Sequence, residues 1–190
     1  SHAIAVDITV SESVFVVMGP DARSFLEPLI PQSLENKDFP FGTMQPIEIG
    51  HAIARAHRVS YVGELGWELY VSADMSAHVF ETIAARRKDH PLAMCGLHAL
   101  DSCRIEKGFR HFGHDISNED HVLEAGLGFV VKENKPLGKF GPMIGSDAVK
   151  AKLNDGLSQR LMQFRLKDPD PLLYHNEAIY RDGLVIGYLT

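Results

Sequence analysis

Alternating apolar and polar positions predict several strands in this chain, because successive side chains of a strand point to opposite faces of a sheet. A short continuous apolar run also predicts a strand when turn residues follow it. The segments with one or the other pattern are residues 4–10, 13–18, 47–59, 92–95, 127–131 and 162–166.

Four other segments place apolar residues at the three- and four-residue spacing of a helix. The first follows Asp21, which can cap it, and it ends at Pro28 and Pro31 because proline cannot continue a helix. The remaining three are expected after Ser72 or Asp74, over residues 97–107, and from Ser146 or Asp147 to Leu153. Gly108 follows the third of these helices, in the position where a left-handed residue commonly ends a helix.

Together these patterns predict an α+β fold with antiparallel sheets and flanking helices. Helices and strands are mixed over residues 1–155, whereas residues 156–190 are expected to be all-β. In that last part Asp182-Gly183 joins two strand-like runs, and this dipeptide is typical of a two-residue hairpin turn.

The most informative stretch is a predicted hairpin that carries a tyrosine and a glutamate. Residues 59–62 and 67–71 are strand-like and flank Gly63-Glu64-Leu65-Gly66, a loop with glycine at each end. Tyr61 and Glu68 each lie two residues outside the nearer glycine, so we expect them opposite each other on one face. A phenol beside a carboxylate can stack on a planar ring and accept two parallel N–H bonds from it. The alternative is a surface glutamate opposite a half-buried tyrosine.

Composition and charge exclude several classes of protein. The chain has 190 residues, 45% of them hydrophobic and 23% charged, which is the ordinary globular range. Its net charge of -6 argues against a nucleic-acid partner, since such binding depends on cations that neutralise phosphates. No apolar stretch approaches the roughly 20 residues that span a bilayer, and the first residues lack the pattern of a signal peptide. We therefore expect neither a nucleic-acid nor a membrane partner.

Cysteines and histidines give weak signals for chemistry. Cys95 and Cys103 do not form a CxxC pair, and we expect two small buried side chains in a reducing compartment. His111, His114 and Asp115 lie close in sequence, but within a predicted loop and without an HExxH motif, so we expect no metal site. The sequence also lacks a GxSxG motif, and no GxGxxG follows a strand and opens a helix, so we expect neither a serine nucleophile nor a dinucleotide site.

Four motifs resemble those of the aminomethyltransferase family. That family holds the T protein of the glycine cleavage system and the folate-binding part of dimethylglycine and sarcosine dehydrogenases. The motifs are Met18-Gly-Pro-Asp-Ala-Arg23, Ser60-Tyr-Val-Gly-Glu-Leu-Gly-Trp-Glu-Leu-Tyr70, Ala99-Leu-Asp-Ser-Cys-Arg-Ile-Glu-Lys-Gly108 and Glu124-Ala-Gly-Leu-Gly128. They occur in the family's order over most of residues 4–150, and the form Glu106-Lys107-Gly108 is closer to the dehydrogenase branch.

The resemblance implies a folate site. In the family, tetrahydrofolate lies in the central hole of a three-lobed molecule. The matching positions imply that Glu68 binds the amino edge of the pterin and that Tyr61 lies near the reactive part of the folate. At Leu100 the T-protein branch has an arginine, so that folate contact is absent or replaced here. Arg104, one helical turn later, is expected in a structural ion pair with the nearby Glu106.

The resemblance also implies the organisation of the protein. Residues 1–155 are expected to be a partial folate-binding aminomethyltransferase-like domain, and residues 156–190 the first strands of a truncated C-terminal β-barrel. The chain is thus expected to be a fragment whose partners are a small-molecule folate and the rest of its polypeptide. The family's catalytic aspartate lies upstream of the first residue seen here, so we expect no catalytic residue and no turnover in this chain by itself.

The parent protein is expected to be a dimethylglycine or sarcosine dehydrogenase-like enzyme that forms 5,10-methylenetetrahydrofolate. Its FAD would belong to a domain outside this chain. The alternatives are a glycine cleavage T-protein-like aminomethyltransferase and a folate-binding relative without catalysis. A bacterial cytoplasm or a mitochondrial matrix is the expected location.

Overall fold

Two compact units make up the computed structural model, which describes residues 2–131 and 143–190. The first unit extends to Phe109, and the second runs from Arg110 to Thr190. Each unit has its own sheet and its own helices.

A four-stranded antiparallel sheet is the frame of the first unit. Its strands are β1 (Glu12–Met18), β2 (Met44–Ile49), β3 (Ala52–His57) and β4 (Gly66–Ser72), in the spatial order β1-β4-β3-β2. The central strand β4 alternates in burial as its sequence predicts, with Trp67, Leu69 and Val71 fully buried and the residues between them only partly buried. One face of the sheet therefore belongs to the core.

Two of the three α-helices of the first unit pack on that core face, and the third contributes no residue to the apolar core cluster. In chain order the helices are α1 (Ala22–Leu26), α2 (Ser76–Ala85) and α3 (Leu97–Lys107). Val79 and Ile83 of α2 are buried in the same apolar cluster as the inward side chains of the sheet. Leu34 and Phe39 join this cluster, so the long segment between α1 and β2 is anchored by its apolar residues.

The second unit contains a helix and a two-stranded hairpin. These are α4 (Ser146–Asp155), β5 (Ala178–Arg181) and β6 (Leu184–Tyr188). Asp182 and Gly183 join the two strands with φ angles of 54° and 78°, which is the left-handed pair that a type I′ turn requires. The hairpin predicted from Asp182-Gly183 is confirmed, and the larger β-barrel stays a prediction.

An ion pair between Glu124 and Lys152 links α4 to an earlier loop of the second unit. Lys152 Nζ lies 2.8 Å from Glu124 Oε1, and the Glu124 side chain is only 8% exposed. The hydrogen bond from Lys152 lowers the pKa of Glu124 from its ordinary value, with a further contribution from the lysine charge. A lowered carboxyl pKa adds stability at neutral pH that is lost as the pH falls through the folded-state value.

We expect Lys152→Met to lower the melting temperature more at pH 7 than near pH 3, because the stability that a lowered carboxyl pKa adds is lost as the pH falls through the folded-state value. Thermal unfolding at both pH values measures this. Lys150→Met, an exposed position on the same helix, is the matched control and should change neither value. A loss of equal size at the two pH values would contradict the ion-pair argument.

The α+β class with an antiparallel sheet and flanking helices is confirmed, as are the strand at residues 13–18, the third helix and α4. The predicted strands at residues 4–10, 92–95, 127–131 and 162–166 are wrong, since none of these segments belongs to a sheet. Alternation alone provides no partner strand, and the alternating side chains Ile4 and Val6 are 89% and 72% exposed. The strand character expected over residues 47–59 is confirmed, and it belongs to the hairpin β2–β3, in which the chain reverses at Gly50-His51.

Within the residues that the structure describes, none of the helices has the length and apolar character needed to span a membrane.

Candidate functional site

The sheet of the first unit has a second face that the core does not use. Val14, Val16 and Ile53 project from it and are 47%, 46% and 75% exposed. Polar side chains of β3 and β4 lie between these apolar residues. We call this surface the open face, and it combines apolar area with hydrogen-bonding groups in the way that small-molecule sites do.

Glu68 lies on the open face, opposite the last residue of β3. It is on the central strand β4, directly opposite Val16 of β1 on one side and His57 of β3 on the other. Residues directly opposite each other in a sheet have Cβ atoms about 4.5–5.5 Å apart, so both neighbours restrict the carboxylate. Glu68 is partly buried, and its carboxylate is therefore only partly surrounded by solvent.

Tyr70 is a site residue that the sequence reasoning missed. It lies two positions after Glu68 and so shares its face of the strand. Its hydroxyl donates a hydrogen bond of 2.7 Å to Glu68 Oε2. This bond is the main cause that raises the pKa of Tyr70, followed by burial, so the phenol stays protonated and remains a donor at neutral pH. The two-residue period of a strand was the signal that could have found it.

Arg55 and Glu12 extend this polar row across three neighbouring strands. Arg55 of β3 is directly opposite Tyr70, with its guanidinium carbon 5.8 Å from the centre of the tyrosine ring. Its Nη2 donates to both carboxylate oxygens of Glu12 on β1, at 2.6 and 2.5 Å. The tyrosine ring is therefore held from one side by a cation that is itself paired.

The predicted placement of Tyr61 opposite Glu68 is wrong. Residues 59–62 are not a strand, and β3 and β4 are joined by a loop over residues 58–65. Gly66 is not part of a hairpin turn as predicted. It lies inside the sheet, where it pairs with Met18. A Cβ there would lie 2.5 Å from Met18 Cγ and 2.9 Å from the Val17 carbonyl oxygen, so only glycine allows this approach of β1.

Tyr61 lies instead against the end of α3. Its ring stacks on Phe109 with centroids 5.9 Å apart and an angle of 9° between the planes. A Cβ added at Gly63 of the same loop would lie 2.6 Å from Lys107 Cδ, so this glycine allows the loop to pass close to the lysine side chain. The loop over residues 58–65 is thus fixed to the helix that carries the third sequence motif.

The end of α3 holds Phe109 in place for this stacking. Gly108 has a φ of 72°, and its N–H donates to the Ile105 carbonyl while that of Phe109 donates to the Arg104 carbonyl. These two bonds form a Schellman motif, which requires a left-handed residue where Gly108 lies. The motif aims the Phe109 ring at Tyr61.

Arg104 supports the same helix end from within. It is only 2% exposed, its Nε donates to Asp101 Oδ1 at 2.6 Å, and its Nη1 donates to the Phe109 carbonyl oxygen at 3.2 Å. Asp101 thus supplies a carboxylate for a structural ion pair with Arg104, whereas the sequence predicts Glu106 as the partner. The buried cation has a structural part in this arrangement, as expected.

Behind Glu68, the fully buried Trp67 anchors β4 to the core. The guanidinium carbons of Arg23 and Arg58 lie 6.0 and 5.8 Å from the centre of its ring, which meets the ring of Phe39 edge-on at 6.1 Å. Both arginines donate to Asn36 Oδ1, at 2.6 and 2.7 Å. Burial lowers the pKa of Arg58, with a smaller effect from the charge of Arg23. Because Trp67 and Glu68 point to opposite faces, a fixed indole also fixes where the carboxylate lies.

The cysteines and histidines correct one expectation. Cys95 and Cys103 are both exposed free thiols, because α3 and the segment before it place them towards solvent, so the prediction that they are buried is wrong. His114 contacts Asp115 at 3.1 Å and its ring lies 5.7 Å from that of His111. Across residues 2–131 and 143–190, no group of three or more histidine, cysteine, aspartate and glutamate side chains is arranged to hold a metal ion.

This α+β unit, with its glutamate–tyrosine pair on the open face, can be compared with known proteins. The profile of the GCVT N-terminal domain family matches residues 2–135, and the chain belongs to that family. The predicted kinship with aminomethyltransferases and with sarcosine and dimethylglycine dehydrogenases is confirmed.

Three relatives show the range of the similarity. A 4-methylaminobutanoate oxidase (formaldehyde-forming) from Paenarthrobacter nicotinovorans is 38% identical over 99% of this chain and 22% of its own length. The mitochondrial sarcosine dehydrogenase of Homo sapiens is 35% identical over 100% of the chain and 20% of its own length. An aminomethyltransferase from Halothermothrix orenii is 33% identical over 94% of the chain and 48% of its own length. The chain therefore spans about a fifth to a half of these relatives.

Proposed function

We propose that this chain carries the pterin-binding part of a tetrahydrofolate site in a one-carbon transfer enzyme. Glu68 accepts hydrogen bonds from the amino edge of the pterin, and Tyr61 lies near the reactive part of the folate. The observation that carries the proposal is the partly buried Glu68, whose carboxylate is held by Tyr70 on the open face.

The chemistry of the open face fits a pterin. The 2-aminopyrimidinone edge of the pterin offers two adjacent N–H donors, and an ionised carboxylate is their natural acceptor. Val14 and Val16, each about half exposed, offer apolar area to the flat ring. Tyr61 is on a loop that Phe109 holds, so it reaches the ligand, in this proposal, from outside the sheet.

For the whole protein we propose a dehydrogenase of N-methylated amines. Two of the three relatives are named for the oxidation of such amines, as a sarcosine dehydrogenase and a formaldehyde-forming methylaminobutanoate oxidase. A flavin in a separate domain would remove a hydride from the N-methyl group, and tetrahydrofolate would capture the one-carbon unit as 5,10-methylenetetrahydrofolate while the demethylated amine leaves. The residues of this chain would hold the folate close to that carbon and exclude water that would release formaldehyde.

The second candidate is an aminomethyltransferase of the glycine cleavage type. The 33% identity to the Halothermothrix orenii protein over 94% of this chain favours it. Leu100 argues against it, because the T-protein branch has an arginine at the matching position. The two candidates share the role proposed for Glu68.

A pair of small ligands tests the proposal. We expect 6-methylpterin to bind the chain about tenfold more tightly than 6-methyllumazine, because the lumazine ring has an oxygen where the pterin has its amino group, and a lost charge-assisted bond costs about 1.4 kcal/mol or more. Calorimetric titration of both ligands measures this. Equal affinities would show that no carboxylate binds the amino edge of the pterin. If neither ligand binds detectably, the result would count against the site itself.

A further inference from the structure

We propose that Tyr70 is the positioning residue for Glu68, and that it directs the Oε1 atom of the carboxylate to the ligand. This inference rests on the proposed folate site and specifies which residue orients the carboxylate that binds the pterin. Tyr70 is assigned no contact with the reacting carbon, so its effect is on the binding and orientation of the ring.

The hydrogen bond between the two side chains decides which oxygen is presented. The Tyr70 hydroxyl donates to Oε2 at 2.7 Å. Tyr70 is the sole hydrogen-bond partner of the Glu68 side chain among the residues that the structure describes, which leaves Oε1 to accept from a ligand. A carboxylate held at one oxygen loses its rotational freedom before the ligand arrives, which lowers the entropic cost of binding.

Tyr70 is itself held by charged neighbours, so it can act as a fixed support. The Arg55 guanidinium carbon lies 5.8 Å from the centre of its ring, within the range of a cation–π contact. Arg55 is in turn paired with Glu12, whose side chain is only 27% exposed. The order Glu12, Arg55, Tyr70, Glu68 therefore forms a continuous row in which each side chain restricts the next.

The hydrogen bond to Glu68 comes from Tyr70 although His57 is also a neighbour of Glu68 in the sheet. His57 is directly opposite Glu68 on β3, whereas Tyr70 is on the same strand as Glu68. The raised pKa of Tyr70 keeps the phenol protonated throughout the neutral range. Support from Tyr70 therefore keeps Glu68 in one orientation over a wide range of pH.

The phenol also reports on the arrangement without any ligand. The bond and the charge of Glu68 raise the pKa of Tyr70, and the positive charge of Arg55 lowers it. Glu68→Gln should therefore lower the midpoint of the Tyr70 titration, and Arg55→Gln should raise it. Two shifts of opposite sign cannot come from a general loosening of the fold, which would move both midpoints towards the ordinary value near 10.

The first arm of the test follows tyrosinate absorbance with pH in the wild-type chain, Glu68→Gln and Arg55→Gln. Subtraction of the Tyr70→Phe curve isolates Tyr70 from the other four tyrosines. If alkali unfolds the chain first, the ionised fraction at pH 10 is compared in samples whose circular dichroism is native. Opposite shifts support the inference, and unchanged titration in Glu68→Gln would overturn it.

The second arm measures the affinity for 5-formyltetrahydrofolate, a stable form of the reduced folate. We expect Tyr70→Phe, which keeps the ring beside Arg55, to weaken binding about threefold to tenfold, because ordering one side chain on binding costs roughly 0.5–1.5 kcal/mol. Tyr174→Phe, an exposed tyrosine of the second unit, is the control and should bind as the wild type does.

The two arms separate the inference from the function it rests on. If Tyr70→Phe binds normally while Glu68→Gln binds weakly, the folate site stands and the positioning role of Tyr70 is refuted. If both variants bind as the wild type does, the proposed folate site itself is refuted. In that case the titration shifts would still show that Tyr70 and Glu68 interact, but the interaction would have no role in folate binding.

Discussion

Trp67→Ala should destabilise the first unit by about 3–5 kcal/mol, the range for removing a large aromatic side chain from a core. The indole is fully buried, and its loss would leave a cavity beside two guanidinium groups. Both arginines, Arg23 and Arg58, donate to Asn36 beside the ring, so the loss of the indole would also remove the aromatic contact of these two cations. Urea unfolding followed by circular dichroism measures the change, because the chain has no second tryptophan to report by fluorescence.

The matched control for this prediction is Phe41→Ala. Phe41 lies in the same segment as Asn36 but is 73% exposed, so its removal should change the unfolding free energy by no more than about 0.5 kcal/mol. A loss below about 1 kcal/mol for Trp67→Ala would mean that the site collapses around the missing ring. The proposed part of the two arginines in anchoring β4 would then be wrong.

Glu68→Gln should lower the affinity for tetrahydrofolate by about 1–3 kcal/mol, or roughly five- to 150-fold, the usual scale for a hydrogen bond to a charged group. The amide is almost the same size, so the sheet should be unaffected while one acceptor and the negative charge are lost. Calorimetric titration of 5-formyltetrahydrofolate into both proteins measures the difference.

Glu48→Gln provides the control for the charge change. Glu48 is an exposed residue of the edge strand β2 in the same sheet, and the same substitution there should leave the affinity within twofold of the wild type, roughly the scale of an ordinary surface change. Equal losses at the two positions would indicate a general electrostatic effect of the sheet. Equal affinity of Glu68→Gln and the wild type would remove Glu68 from the site.

Local sequence patterns correctly predicted the helices and turns that depend on only a few neighbouring residues. The helix at residues 97–107 with Gly108 after it depends on helical spacing and one left-handed residue, and both are visible in the sequence. The hairpin at Asp182-Gly183 depends on a two-residue turn. The motif around Glu68 likewise identified the family and placed that residue on a strand.

The pairing of strands that are distant in the chain could not be predicted from local sequence patterns. The loop glycines suggested that Tyr61 faces Glu68, but β4 pairs with β1, more than 45 residues earlier in the chain, and Gly66 serves that contact. The alternating residues 4–10 look like a strand locally, yet nothing in the described structure pairs with them. A strand forms only when it pairs with another segment, and local sequence patterns do not identify that segment.

The amino-acid sequence by itself determined the α+β class, the family and the glutamate on which the proposed site depends, because these follow from short motifs and from local periodicity. Only the tertiary structure decided that Tyr70, rather than Tyr61, accompanies Glu68, and that Arg55 and Glu12 support the pair. Those relations are set by the register of β1, β3 and β4, and register depends on packing across the whole sheet.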